Sequence, residues 1–353
     1  MNRKKILFFT AGYVGGAERM TVNIAKMLPP DKFDVSMVVM GSSFSITEFI
    51  PSSIRIKKLP FRKFNFLLFR ILHLILQEKP DVVFASSVAV SPRVIIASRL
   101  AKTKVITRSS GMVGYYNRSD YLKVRCTYPL ATLLIAQQED MRQEMSKTLR
   151  IPLRKIVTLN NPIDTAEIEK KRNAPSPFHD DTYPNFVNVA RISPAKGHDI
   201  AIKAFFEVIK QKPSAHLYFV GKYDNADSYY QSLLALIEKL CLQDCVHFVG
   251  YDPNPYRWMA HADCFVFPSR REGLPNALIE ASYIGVPCVA TRCLNIIGDI
   301  IHDGYNGYTA EVDDVPAVAQ GMVQALELQN YQMLYHSAHK EDFVRLFEHA
   351  CER

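Results

Sequence analysis

At 353 residues the chain is long enough for about two domains of ordinary size. With 48% hydrophobic and 22% charged residues it has the make-up of a folded globular protein, which excludes disorder, collagen-like repeats and coiled coil. Its net charge of +8 is uneven: residues 1–165 hold 26 Lys and Arg against 11 Asp and Glu, whereas residues 166–353 hold 17 against 24, so the first half is expected to face something anionic.

At the amino terminus Arg3, Lys4 and Lys5 precede Ile6, Leu7, Phe8 and Phe9. That apolar run is too short for an export signal and is expected to be a buried first strand. Gly12-Tyr13-Val14-Gly15-Gly16-Ala17-Glu18-Arg19 follows, a glycine-rich turn opening a helix, where backbone N–H groups can approach an anion or a sugar oxygen. It is not the GxGxxG dinucleotide fingerprint, and the next strand ends Val38-Val39-Met40-Gly41 without an acid for a ribose, which argues against NAD and FAD.

From Glu48 to Glu78 there is no intervening acid, and Arg55, Lys57, Lys58, Arg62, Lys63 and Arg70 alternate with Leu59, Phe61, Phe64, Phe66, Leu67 and Leu68. Leu67, Leu68, Ile71, Leu72 and Ile75 have the spacing of a buried helix face. The surrounding cations are expected to face an anionic membrane surface. Nucleic acid is the weaker partner, because no recognition helix, zinc-finger spacing or RNP-type motif accompanies the charge. The stretch 64–76 contains Arg70 and His73 and falls short of the roughly 20 apolar residues a spanning helix needs, so no transmembrane segment is expected.

Further along, short apolar runs alternate with helical stretches, the pattern of parallel sheets covered by helices. In the first half, strands are predicted at 6–9, 34–40, 81–85, 104–107 and 133–136, with helices near 16–28, 65–77, 89–101 and 138–147. A first domain over 1–170 is therefore expected. Pro175, Pro177, Asp180, Asp181 and Pro184 punctuate a linker over 171–184. A second domain over 185–335 repeats the pattern, with strands at 185–189, 216–220, 246–249, 264–267 and 287–290 and helices near 197–211, 226–240 and 275–284. A helical segment closes the chain at 336–353. The seven cysteines form no CxxC pair, which predicts reduced thiols in a cytoplasm rather than disulfides or a structural zinc site.

Two motifs of the second half carry chemistry. Val189-Ala190-Arg191-Ile192-Ser193-Pro194-Ala195-Lys196-Gly197 follows that domain's first strand, and a guanidinium and an ammonium flanking a helix start suit a diphosphate. His261 to Ala281 reads strand, loop, helix. Within it Gly273 and Pro275 shape the loop, Glu272 precedes the helix and Glu280 lies in its second turn, placed to accept sugar and ribose hydroxyls.

Together these stretches resemble the retaining GT-B glycosyltransferases of family 4, in particular the branch acting on lipid-linked oligosaccharides and surface polysaccharides. The resemblance rests on Gly15-Gly16-Ala17-Glu18-Arg19, Asn161-Pro162-Ile163-Asp164, Arg191 with Lys196-Gly197, and Glu272-Gly273-Leu274-Pro275 through Glu280, and it spans nearly the whole chain. It implies two Rossmann-like α/β domains facing a cleft, with the carboxyl-terminal helix crossing back to the first. It also implies a nucleotide diphosphate sugar, expected to be a UDP-sugar, as donor of a hexose or N-acetylhexosamine to a lipid-linked or envelope polysaccharide acceptor. Gly15 and Gly16 would then border the sugar and diphosphate, Arg191 and Lys196 hold the diphosphate, Glu272 contact the sugar and Glu280 the ribose. The base would lie near Phe248 to Tyr251, and Gly273, Leu274, Pro275 and Asn276 would complete the donor pocket.

Glu272, Arg191 and Lys196 are the expected catalytic residues. No metal or other cofactor is expected, since charge on the leaving diphosphate would be met by Arg191, Lys196 and the helix beginning near Pro275. Resemblance further implies retention by front-face attack. Many relatives carry a histidine after the strand at 104–107, where Thr107-Arg108-Ser109-Ser110-Gly111 stands here, so Arg108 is an acceptor-side candidate, with Tyr115 beside it. The expected location is the cytoplasm, peripheral on the inner face of the cell membrane. A nucleotide-sugar epimerase or hydrolase of the same architecture is the alternative enzyme.

Overall fold

The structure is a computed structural model and describes residues 3–60, 66–178, 182–328, 333–335 and 338–352. Two compact units divide it, Met1–Pro162 with Ser337–Arg353, and Ile163–His336.

The first unit is built on a parallel sheet of seven strands: β1 (Lys4–Ala11), β2 (Phe33–Gly41), β3 (Arg55–Pro60), β4 (Val82–Ser86), β5 (Lys104–Arg108), β6 (Leu133–Ala136) and β7 (Ile156–Thr158), in the order β3-β2-β1-β4-β5-β6-β7. Central strands read as continuous apolar runs because both faces are covered. On β1, Leu7 and Phe9 enter one core and Ile6 and Phe8 the other. Helices α2 (Leu67–Glu78), α3 (Ser91–Leu100), α4 (Arg118–Thr127) and α5 (Glu139–Leu149) cover the first face. The second face is covered by α1 (Gly16–Met27) and by α13 (Lys340–Glu352), the helix that ends the chain. Phe347 of α13 is fully buried, 5.7 Å from the ring of Phe8 and 5.8 Å from that of Phe84.

The second unit has six parallel strands: β8 (Asn185–Val189), β9 (His216–Val220), β10 (Val246–Gly250), β11 (Cys264–Phe267), β12 (Cys288–Thr291) and β13 (Gly307–Ala310), ordered β10-β9-β8-β11-β12-β13. It is covered by α6 (Thr165–Arg172), α7 (His198–Ile209), α8 (Ser228–Lys239), α9 (Pro255–His261), α10 (Asn276–Ile284), α11 (Ile297–Ile300) and α12 (Val315–Ala325). Both sheets are therefore Rossmann-like. Strand order reverses between β1 and β4 in one and between β8 and β11 in the other, and open α/β sheets take ligands at the carboxyl edge of such switch points.

Three differences from the sequence reading have physical causes. Strands β3, β7 and β13 are additional to the expected ones: they lie at sheet edges, where half-exposed positions break the apolar run. The first unit ends at Pro162, eight residues before the expected boundary, and 165–172, straddling the anticipated linker start, forms α6 of the second unit, which buries Ile168. The cations of 55–58 lie on edge strand β3, where Arg55 and Lys57 pair with Glu78 and Lys58 stands 5.4 Å over the ring of Phe44. Arg62 and Lys63 fall outside the described residues. The apolar face expected for 65–77 is present, with Leu67, Ile71 and Ile75 buried.

Candidate functional site

At the carboxyl edge of the second sheet, two loops after the adjacent strands β8 and β11 are joined. Gly197 ends the β8 loop with φ of 66°, and a Cβ there would meet Pro268 O at 1.9 Å, so only glycine allows the approach. Arg270 N and Arg271 N donate to Ala195 O at 2.8 and 3.3 Å. The Arg270 guanidinium donates to Pro194 O and forks onto Asp199 at 2.7 and 2.8 Å, while its Nε reaches Asp313 at 2.7 Å. Tyr229 donates its hydroxyl to Asp199 at 2.8 Å. Burial would raise the Asp199 carboxyl, but Arg270, Tyr229 and Lys203 outweigh it and hold the pKa at about 2. These bonds tie the two loops together and so fix where Lys196 and Glu272 stand.

Those two residues meet. Lys196 Nζ lies 2.5 Å from Glu272 Oε1, and Ser269 Oγ donates to the same oxygen at 2.8 Å. Ser269 is in turn held by Thr291, which donates to its carbonyl at 2.5 Å. Both contacts fall on Oε1 of a Glu272 side chain that is largely buried. Arg191 is exposed on the same loop as Lys196 and forms no ion pair among the described residues. Lys196 and Glu272 are thus joined at this edge, and Arg191 stands exposed five residues before Lys196.

The remaining candidates of this unit are distributed along the same edge. Pro275 is the N-cap of α10 and its side chain makes no capping hydrogen bond. Leu274 and Pro275 are buried, Gly273 and Asn276 are half-buried, and Glu280 is half-buried as the fifth residue of α10. Tyr251, 50% exposed, follows β10 with Lys222 Nζ 5.0 Å from its ring centre. Arg270, Asp199 and Asp313 carry no role in the sequence reading. The available signal is a third cation, two residues before Glu272, with acids near the ends of two other segments.

His198, the first residue of α7, is fully buried behind Gly197. Burial lowers its pKa from 6.5 to about 4, so the ring is neutral at neutral pH. Below about pH 6.5 the unfolded chain accepts a proton that the folded one refuses until about pH 4, so the unit loses stability across that window. The single Trp258 lies in this unit. Its fluorescence is expected to show the wild-type unfolding midpoint falling more steeply from pH 6.5 to 4 than that of His198→Phe; parallel slopes would contradict a neutral buried ring.

The first unit's edge differs. A Cβ on Gly15 would meet Glu18 Oε2 at 2.6 Å, whereas one on Gly16 would meet nothing within 4 Å. Glu18 is buried and accepts its own backbone N–H and the Tyr13 hydroxyl; burial raises its pKa, and burial with the Glu18 charge pushes Tyr13 up to about 12. The positive end of α1 therefore already holds a carboxylate. Arg108 is buried at the end of β5, and Tyr115 is 44% exposed on a turn whose Val113 and Gly114 N–H groups donate to Glu144 at 2.7 Å each.

The model described as Glycosyltransferase Family 4 matches residues 14–167, and the one described as Glycosyl transferases group 1 matches residues 169–341. The chain is 26% identical over 351 residues to an N-acetylgalactosamine-N,N'-diacetylbacillosaminyl-diphospho-undecaprenol 4-alpha-N-acetylgalactosaminyltransferase of Campylobacter jejuni, covering 95% of this chain and 93% of that one. It is 27% identical over 245 residues to an uncharacterized glycosyltransferase of Methanocaldococcus jannaschii, and that match spans 64% of this chain and 59% of the relative's own length. Among solved structures, Anabaena HepE in complex with UDP-glucose superposes with a TM-score of 0.77 at 18% identity over 99% of each chain. At that identity the likeness concerns the fold, which is of the GT-B kind.

Proposed function

We propose that this chain, whose first domain matches the Glycosyltransferase Family 4 model and whose second matches the Glycosyl transferases group 1 model, moves a hexose or N-acetylhexosamine from a nucleotide diphosphate sugar to a lipid-linked or envelope polysaccharide acceptor. The observation that carries this reading is the Lys196–Glu272 pair with Arg191 on the same loop. A UDP-sugar is the proposed donor, in keeping with the UDP-glucose complex of HepE.

In this mechanism Arg191 and Lys196 hold the diphosphate, and their charge counts for more as the glycosidic bond breaks and negative charge grows on the departing phosphate oxygen. The positive start of α10 adds to the same stabilisation. Glu272 Oε2 accepts a donor-sugar hydroxyl, and Glu280 accepts the ribose hydroxyls. The acceptor hydroxyl attacks from the face the diphosphate leaves and gives its proton to the phosphate oxygen, which retains the anomeric configuration. Neither carboxylate acts as a nucleophile, and no divalent ion is assigned a role.

The test is release of nucleotide from a panel of UDP- and GDP-sugars by the purified protein, in EDTA, with and without polyprenyl-diphosphate-linked acceptors. Acceptor-dependent release, lost in Arg191→Ala, is the expected result. Release without acceptor would instead favour a hydrolase or epimerase, and no binding of any donor would overturn the proposal.

Peripheral attachment to the cytoplasmic face of an anionic membrane is part of the same reading. The exposed stripe of α2 and its approach holds Phe66 and Phe69, 71% and 64% exposed, then Arg70, His73 and Leu76, with no acid among them. Two aromatic rings beside a cation fit a headgroup boundary. Among the described residues no helix is long and apolar enough to cross a membrane. Phe66→Ser with Phe69→Ser is expected to weaken co-sedimentation with phosphatidylglycerol-containing vesicles about tenfold or more without shifting the unfolding midpoint. Unchanged co-sedimentation would remove α2 from the membrane contact.

A further inference from the structure

The first sheet has its own switch point, between β1 and β4, and the strand beyond β4 ends in Arg108. Arg108 is 3% exposed. Its guanidinium donates to Ser86 Oγ at 3.4 Å and to Asn161 Oδ1, with the phenols of Tyr116 and Tyr128 nearby. All of these partners are neutral, and no carboxylate pairs with Arg108 among the described residues. Burial holds its pKa down to about 10, as befits a charge without a counter-charge.

A buried cation with only neutral partners does not stabilise a fold, since its desolvation is not repaid by an opposite charge. The same edge shows a second irregularity. Ser87, which follows β4, is held at φ of 77° with its hydroxyl buried and without a hydrogen-bond partner among the described residues. Across the switch point the start of α1 is filled by Glu18, so an anion is repelled from the β1 turn and drawn towards β4 and β5. Around it the stretch 66–130 holds ten Lys and Arg against three Asp and Glu.

We propose that Arg108, with the Ser86 and Ser87 hydroxyls beside it, receives the diphosphate of a lipid-linked acceptor at the carboxyl edge of β4 and β5. The proposal rests on the glycosyltransferase reading above and gives its acceptor a phosphate subsite in the first domain. The bond to Ser86 is long, so the guanidinium exchanges it for a phosphate oxygen, while the bond to Asn161 keeps the fork aimed.

Geranyl diphosphate, a water-soluble prenyl diphosphate, is the probe, with UDP as the control, and binding is read by calorimetry and thermal shift on the full chain. Wild type is expected to bind the probe and to melt at higher temperature with it. Arg108→Met is expected to melt no lower than wild type without ligand, because it relieves the lone charge, yet to bind the probe at least about tenfold more weakly with UDP affinity kept. Arg108→Lys is expected to recover part of the binding and serves alone if the methionine variant does not fold. Probe affinity unchanged in the variants, or no binding by wild type at millimolar concentration, would overturn the proposal. Loss of UDP and probe together would assign the phosphate to the donor and overturn the acceptor subsite. A wild type that binds the probe but neither UDP nor any nucleotide sugar would sink the transferase reading instead, and with it the identification of the anion as an acceptor's.

Discussion

Glu272→Gln is expected to lower kcat/KM for the donor found in the release assay by about 10²- to 10³-fold, while UDP affinity stays within a few-fold of wild type. The amide keeps the volume of the side chain but loses the charge that holds Lys196 at 2.5 Å and the second carboxylate oxygen offered to the sugar. UDP has no sugar to lose, and Lys196 without its counter-charge is freer to meet a diphosphate. Lys196→Ala is expected to reverse the pattern, with UDP affinity falling together with turnover. The two variants side by side separate a sugar contact from a phosphate contact. Equal activity of Glu272→Gln and wild type would show that this carboxylate does not touch the donor.

Phe347→Ala is expected to destabilise the first unit by about 3–5 kcal/mol. The ring is fully buried on α13 and stands 6.5 Å from Phe33 as well as against Phe8 and Phe84. Phe8 and Phe84 lie on the neighbouring central strands β1 and β4, whose hydrogen-bonded ladder cannot close over the cavity left behind. Lys32 bridging Glu348 at 2.8 Å adds little, since both side chains are well exposed. Urea unfolding followed by far-UV circular dichroism sees both units, and Trp258 fluorescence reports the second. The dichroism midpoint is expected to move while the Trp258 midpoint holds, and a loss below about 1 kcal/mol would mean that α13 is not part of the first core.

Much of this protein is legible without coordinates. Central strands such as 133–136, 185–189, 216–220 and 264–267 are bounded in the sequence as they are in space, because strands covered on both faces must be apolar throughout. The buried face of α2 follows from its 3.6-residue spacing, and the Arg191, Lys196 and Glu272 motifs are visible because each follows a strand and opens a helix. Edge strand β3 carries cations that read as a surface, of which Arg55 and Lys57 in fact pair with Glu78 at a sheet edge.

The partners of these side chains come from the fold alone, because a charge says nothing about its counter-charge until distant segments meet. Local sequence cannot show that Lys196 stands against Glu272, 76 residues away, or that Arg270 pairs with Asp199 and Asp313. Nor can it show that Glu18 turns back into the start of its own helix, filling a turn whose glycines read as an open cradle. Arg108 is the clearest case: as a residue at the end of a strand it reads as an ordinary surface cation, and only folding buries it with Ser86 and Asn161 as its hydrogen-bond partners.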